Sequence, residues 1–443
     1  MESVATARRE SQAVIDLLDF CKGVAIVWIV LVHALHGWFG WQGVHVFITL
    51  GGFTLTYACL HRKQQLTWKQ WFLKRAERIL PAYWLVATAG FLVVCLVAML
   101  TENVKRPLEL SAAVWKWLAD LTLLRNFSYK NMLADPNSAL WFIPLIVSLY
   151  LIFPWLYSSL AKHRGVKTWA KVSAAAVAVE IVYRAVAIYW LDGMPVAYGH
   201  GFLKFVGRPE KPLNELADAF KFQLWAPFGL APSRVGEFEL GMVAAFALQW
   251  NSAKFKLLLL SRWATFVGVV LWLGGNAMLL VGRWSWVFAD LFIAAGLVLW
   301  LINLAKLAQG VFPRVFKKMS RLGEWSYYVF LTHLLFGYAH ANLYVLWAGS
   351  LVMVMLMLLL TLVAIIASSW LLLRLDCSGL PQQVFRWVAA AFSRPWAGSK
   401  LAVATQARVP MPSEMKKFSV LPRADGITST GQTSEKGETA YER

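Results

Sequence analysis

Leu18-Asp19-Phe20-Cys21-Lys22-Gly23 opens an apolar run that carries His33, and Gly43-Val44-His45-Val46-Phe47 leads through Leu50-Gly51-Gly52-Phe53 into the next apolar run. Eleven residues separate Lys22 from His33. At about 100° per residue that interval is roughly three turns plus 20°, so in a helix both side chains share one face. Asp19 falls near the same face. At about 1.5 Å per residue, His33 lies roughly 16 Å from Lys22, near the middle of a hydrocarbon layer about 30 Å thick. An ionisable group at that depth is costly unless it lines a polar cavity, which makes it a functional-site candidate. The competing reading is an imidazole bonded to a neighbouring helix.

Working outward, the composition is that of a chain that lives mostly in lipid: 59% hydrophobic, 15% charged and 24 Trp. Crossings are expected at Gly23–Phe39, Gly43–Leu60, Leu80–Leu100, Ala139–Leu160, Trp169–Leu191, Val235–Trp250, Trp263–Gly282, Trp284–Leu304, Ser326–Trp347 and Leu351–Leu373. The expected fold is therefore an all-α polytopic bundle of about ten transmembrane helices. It divides into an N-terminal segment (1–22), a transmembrane domain (23–374) and a largely disordered tail (375–443) rich in Ser, Thr, Gly, Lys and Glu beyond Ser393. Residues 1–22 are polar with mixed charge and the first apolar run is long enough to span, so no cleavable signal is expected.

The net charge of +19 gathers in alternate loops: Arg62 to Arg78, Lys162 to Lys171, Lys254 to Arg262 and Lys306 to Arg321. The two long intervening loops, 101–138 and 192–233, are nearly balanced. Positive charge marks the cytoplasmic side, so both termini are expected in the cytoplasm of a plasma (inner) membrane protein. The same distribution argues against nucleic acid as a partner. Within 101–138, Trp115-Lys116-Trp117-Leu118 reads as an interfacial helix, being too short and charged to span. Cys21, Cys59, Cys95 and Cys377 show neither paired nor metal-like spacing, and they read as apolar filler with no metal site.

The opening stretch resembles the acyltransferase family 3 membrane proteins, whose pattern is Leu-Asp-x-x-Arg-Gly, a histidine with ten residues between it and the arginine, Gly-Val-Asp-x-Phe-Phe and Leu-Ser-Gly-Phe. Leu18, Asp19, Gly23, His33, Gly43, Val44, Phe47, Leu50, Gly52 and Phe53 match, while Lys22, His45 and Gly51 replace the arginine, aspartate and serine. Lys74-Arg75-Ala76-Glu77-Arg78-Ile79-Leu80-Pro81 resembles the family's Arg-Arg-x-x-Arg-Ile-x-Pro. Leu140-Trp141 to Pro154 resembles its Leu-Trp to Phe-Pro segment, with Ile146 where most members carry glutamate. Glu237-Phe238 to Gly241-Met242 and Ser326-Tyr327 to His333 resemble two more of its motifs.

That resemblance implies transfer of an acyl group, most commonly acetyl, from cytoplasmic acyl-coenzyme A to a hydroxyl of an extracytoplasmic polysaccharide or lipid-linked glycan. A sugar hydroxyl is a poor nucleophile, and imidazole has a pKa near working pH, so His33 is the candidate general base or transient acyl carrier. Arg75 and Arg78 are candidates for gripping the donor phosphates by forked hydrogen bonds, with a lipid-facing cationic belt as the alternative. Lys22, paired with Asp19 at i,i+3, is the third candidate donor contact. Glu180 and Arg184 at i,i+4 read first as a structural ion pair. His333, seven residues before His340, and Asp290 are further buried polar candidates. His45 and Glu180 are the candidate orienters of His33. A transporter or flippase would also string His33, Glu180, Arg184 and Asp290 along a polar path, and a non-catalytic scaffold is the remaining reading.

Overall fold

A computed structural model of the chain describes residues 2–35, 40–62, 66–100, 110–127, 137–162, 165–190, 227–281, 283–347 and 351–393. Among these residues the regular structure is helical. The helices are α1 (Glu2–Leu35), α2 (Gly43–Leu60), α3 (Trp68–Leu100), α4 (Leu110–Leu121), α5 (Phe142–Lys162), α6 (Val166–Tyr189) and α7 (Val235–Trp250). They continue with α8 (Ser252–Leu259), α9 (Arg262–Val281), α10 (Arg283–Val311), α11 (Pro313–Trp347), α12 (Leu351–Cys377) and α13 (Leu380–Ser393).

Seven of the expected crossings fall on described helices long and apolar enough to span: those around α2, α3, α5, α6, α9, α10 and α12. The other three, on α1, α7 and α11, carry Asp19 and Lys22, Glu237 and Glu239, and Glu324 and His333 within or beside their apolar runs. Those groups lower the hydropathy of the helices that build the centre. Periphery and centre differ sharply: 61% of the α2 window is buried inside the protein against 17% for α9 and for α12. A helix with so little protein cover and so few charges has lipid as its natural partner.

Several helices begin earlier than their apolar windows. The third crossing was expected to start at Leu80 beside Pro81, but α3 starts at Trp68 and runs through Pro81. A reciprocal cap fixes that start, for Gln70 N–H donates to Thr67 Oγ1 at 3.3 Å and Thr67 N–H donates to Gln70 Oε1 at 3.1 Å. α11 likewise starts at Pro313, thirteen residues before the expected Ser326. Proline suits a first helical position because its missing N–H has no intrahelical partner there. α1 extends back to Glu2 through the segment expected to precede the membrane. The tail after 374 also begins in order: α13 docks on α3 through Phe385 against Trp84 (5.8 Å) and Arg386 Nε to Glu77 Oε1 (2.5 Å). Residues 394–443, residues 101–109 and 128–136 of the first long loop, residues 192–226 of the second, and the Lys63 and Arg164 positions lie outside the described residues.

Two parallel helix pairs form the centre. α1 and α11 run in the same direction with partners offset by about three hundred positions: Ser320 Oγ donates to Asp16 O at 3.0 Å, Phe316 stacks on Phe20 at 5.4 Å, and His333 meets His33. Gly23 and Gly323 permit this approach, since a Cβ at either would run into backbone of the other helix. α2 and α7 are parallel as well, with Gly52 under the Phe238 carbonyl and Gly241 under the Thr49 carbonyl. α9 and α10 pack as an antiparallel hairpin, Gly268 against Trp300 and Gly275 against Ile293.

Candidate functional site

Asp19 and Lys22 lie one helical turn apart near the start of the apolar part of α1, and Lys22 Nζ reaches Asp19 Oδ1 at 2.9 Å. Asp19 is buried against Gly323 of α11, and one turn further along α11 the Tyr327 hydroxyl donates to the Ile79 carbonyl at 2.6 Å. That turn of α11 therefore joins Lys22 to the Arg75–Arg78 stretch of α3 at one end of the bundle. Arg75 lies over the Trp71 ring at 5.7 Å, within electrostatic reach of Arg62, Arg78, Tyr150 and Cys59. Trp71 is in turn stacked on Phe153 at 4.9 Å. Arg78 is exposed. The result is a group of cations beside an aromatic stack, a charge suited to phosphate groups.

Ten residues beyond Gly23 on α1 and Gly323 on α11 stand His33 and His333, their rings 5.3 Å apart between centroids and tilted by 45°. His33 is exposed and is not sealed in apolar packing, whereas His333 is buried. His333 Nδ1 donates to the Phe330 carbonyl at 2.8 Å. Phe330 packs on His333 (5.6 Å) and on Phe142 (5.1 Å), and Phe47 closes the aromatic group against both phenylalanines. Beside it, Asn137 Nδ2 donates to the Leu331 carbonyl at 2.7 Å, and Arg125 holds the Asn137 carbonyl at 2.9 Å and Asp120 at 2.8 Å. Burial pushes the Asp120 carboxyl above the usual carboxylate range, with the adjacent Arg125 opposing the shift. The side chain of His340 lies outside the described residues.

A second buried polar centre is built on α2. His45 Nδ1 donates to Glu237 Oε2 at 2.8 Å, and its Nε2 lies 3.8 Å from Asp290 Oδ1. Arg234 bridges Glu237 Oε1 (2.8 Å) and Asp290 Oδ2 (2.5 Å), and Arg184 reaches the same Asp290 oxygen at 2.6 Å. Arg184 also donates to the Trp286 and Val287 carbonyls and lies over the Phe228 ring. The expected ion pair between Glu180 and Arg184 does not form. Arg184 turns to α10, and Glu180 Oε2 instead accepts the Gly236 N–H at 2.8 Å, at the start of α7 where helix N–H groups lack partners. His45 and Glu180, the candidate orienters of His33, meet Glu237 and the Gly236 N–H in this cluster.

The same geometry explains two departures from the family pattern. At position 45, an aspartate would add another carboxylate to Glu180, Glu237 and Asp290, which already outnumber the two guanidiniums; an imidazole sits there instead. At position 51, a Cβ would meet only Phe238 Cε2 at 3.9 Å, ordinary contact, so a serine would fit and glycine is not required. Ile146 is buried in the apolar core, where it offers packing and no charge.

A family model described as an acyltransferase domain, acyltransferase family 3, matches residues 15–374. The chain belongs to the acyltransferase family 3. It is thus a polytopic membrane acyltransferase, and the match runs from the Asp19–Lys22 pair through the end of the helical bundle. No curated protein and no solved structure matches the chain. Within this family 3 member, Asp19–Lys22 was legible from local spacing. The meeting of His33 with His333 and the convergence of Arg234, Glu237 and Asp290 on His45 were not, because those partners lie some two or three hundred residues apart in sequence.

Proposed function

We propose that this protein moves an acyl group, acetyl in the simplest case, from cytoplasmic acyl-coenzyme A to a hydroxyl of an extracytoplasmic polysaccharide or lipid-linked glycan. The Lys22, Arg75 and Arg78 end faces the cytoplasm and receives the donor's phosphates, with both termini on that side of the inner membrane. Lysine supplies a point charge where arginine would supply a fork, so the grip on the donor is shared with Arg75 and Arg78. His33 then takes the proton of the acceptor hydroxyl as the new carbon–oxygen bond forms. The carbon–sulfur bond breaks, its electron pair leaves on sulfur, and the proton passes from the imidazolium to the departing thiolate.

What supports this reading is a cation, Lys22, and, about 16 Å further along the same helix, an exposed imidazole, His33. Labelled acetyl-coenzyme A incubated with membranes of expressing cells tests it. Wild type should label envelope glycans, and His33→Ala protein of equal abundance should not. Transfer surviving in His33→Ala removes His33 as base, and solute flux with no acylated product would favour a transporter.

A further inference from the structure

α13 follows α12 after a turn at Ser378 and Gly379, and it folds back on the bundle instead of leaving it. Gly379 makes that turn at φ 74°, a left-handed conformation that glycine adopts without steric cost. One face of α13 is committed to protein. Gln382 Nε2 donates to Asp376 Oδ1 at 2.6 Å, and the same carboxylate accepts the Tyr328 hydroxyl of α11 at 2.6 Å. Phe385 is buried on Trp84, and Arg386 is bonded to Glu77, both on α3. The opposite face carries Leu380, Val384 and Trp387, which are 58%, 55% and 75% exposed. At about 100° per residue these three fall within an arc of roughly 60°, while Gln382, Phe385 and Arg386 gather on the other side.

What covers this stripe follows from the helix that delivers it. α12 has lipid as its natural partner, and its exposed apolar side chains run to the end of the span as Trp370, Leu371 and Leu375. Leu380 comes next across the Gly379 turn, so the apolar surface continues from the span onto α13. The residue types are those of a bilayer boundary. Trp387 offers an amphipathic ring of the kind enriched at headgroup level, and the exposed Arg374 and Arg386 have apolar stems that keep a charge in the polar layer. Three side chains are also far fewer than the roughly 20–30 residues a side of a stable protein–protein interface. We infer that α13 is an in-plane membrane helix: its Leu380, Val384 and Trp387 face docks on the headgroup–acyl boundary of the bilayer where α12 ends, while its other face clamps α3.

Spin labelling of the full-length protein in vesicles of phosphatidylethanolamine and phosphatidylglycerol tests this. Cys377→Ser removes the exposed native thiol. In that background Leu380→Cys, Val384→Cys and Trp387→Cys each carry a nitroxide in turn, and the signal of the background protein is subtracted. Molecular oxygen concentrates in hydrocarbon and a neutral nickel chelate in water. Each label should be relaxed more strongly by oxygen than by the chelate, at a depth of about 5–10 Å into the boundary. Relaxation chiefly by the chelate at any of the three puts the stripe in water and overturns the inference. Protection from both reagents means that protein covers the stripe, and overturns it equally. Loss of that protection on deleting residues 394–443 would then identify the tail as the cover, and loss on dilution with lipid a second copy of the chain. Each position makes the same prediction, so one monodisperse variant is enough to decide it.

Discussion

Two histidines twelve residues apart, His33 and His45, open onto two different kinds of polar centre. His45 has a carboxylate facing each ring nitrogen, and those acids are tied by Arg234 and Arg184, all of it buried across α2, α6, α7 and α10. His33 has an exposed ring and an imidazole neighbour. Breaking a buried charge network leaves an uncompensated charge, so its members are held in place by one another. A group that must exchange protons with arriving reactants cannot be committed in that way. On the proposed reading of His33 as base, the contrast separates architecture from chemistry on adjacent helices.

Substitutions should split along that contrast. The largest effect is expected at His33, where alanine should reduce acyl transfer by at least about 100-fold, the contribution of a general base, while thermal unfolding followed by size-exclusion stays within a few degrees of wild type. Asp290→Ala should do the reverse: it removes the countercharge that Arg184 and Arg234 share and costs about 3–5 kcal/mol of stability, read as loss of monodisperse protein after mild heating. Wild-type thermal stability in Asp290→Ala would erase the distinction between the two centres. Next in size, Lys22→Ala should raise KM for acetyl-coenzyme A roughly tenfold, the worth of one charge-assisted hydrogen bond, whereas Lys22→Arg should stay near wild type. Equal effects of the two would remove Lys22 from the donor site. The smallest effect is expected for Gly51→Ser, which should leave both stability and rate unchanged within about 0.5 kcal/mol, because the added atoms meet only ordinary contact. A clear loss there would mean α2 and α7 pack more closely than Phe238 permits.

How much of this was legible in the chain follows from distance along it. Apolar runs marked the crossings because lipid selects for them everywhere at once, so α9, α10 and α12 read plainly. Helix starts were misjudged because caps, not hydropathy, set them: Thr67 with Gln70, and Pro313, lie outside the apolar windows. Asp19 and Lys22 interact within one turn, which spacing alone predicts. Glu180 and Arg184 have similarly close spacing, yet tertiary partners won, since Asp290 offers Arg184 a full countercharge and the start of α7 offers Glu180 unpaired N–H groups. His333 carried a motif but no address, for nothing local to α11 says that α1 lies alongside in parallel.

The glycine-to-backbone seating of α1 on α11 leaves neither helix room to slide, so the interval from Lys22 to His33 behaves as a fixed gauge. For the proposed donor, the reach between anchored phosphates and reacting thioester must then come from the flexible arm of coenzyme A. A truncated thioester without the nucleotide would arrive at the imidazole unmeasured, and the basic mouth would have nothing to hold.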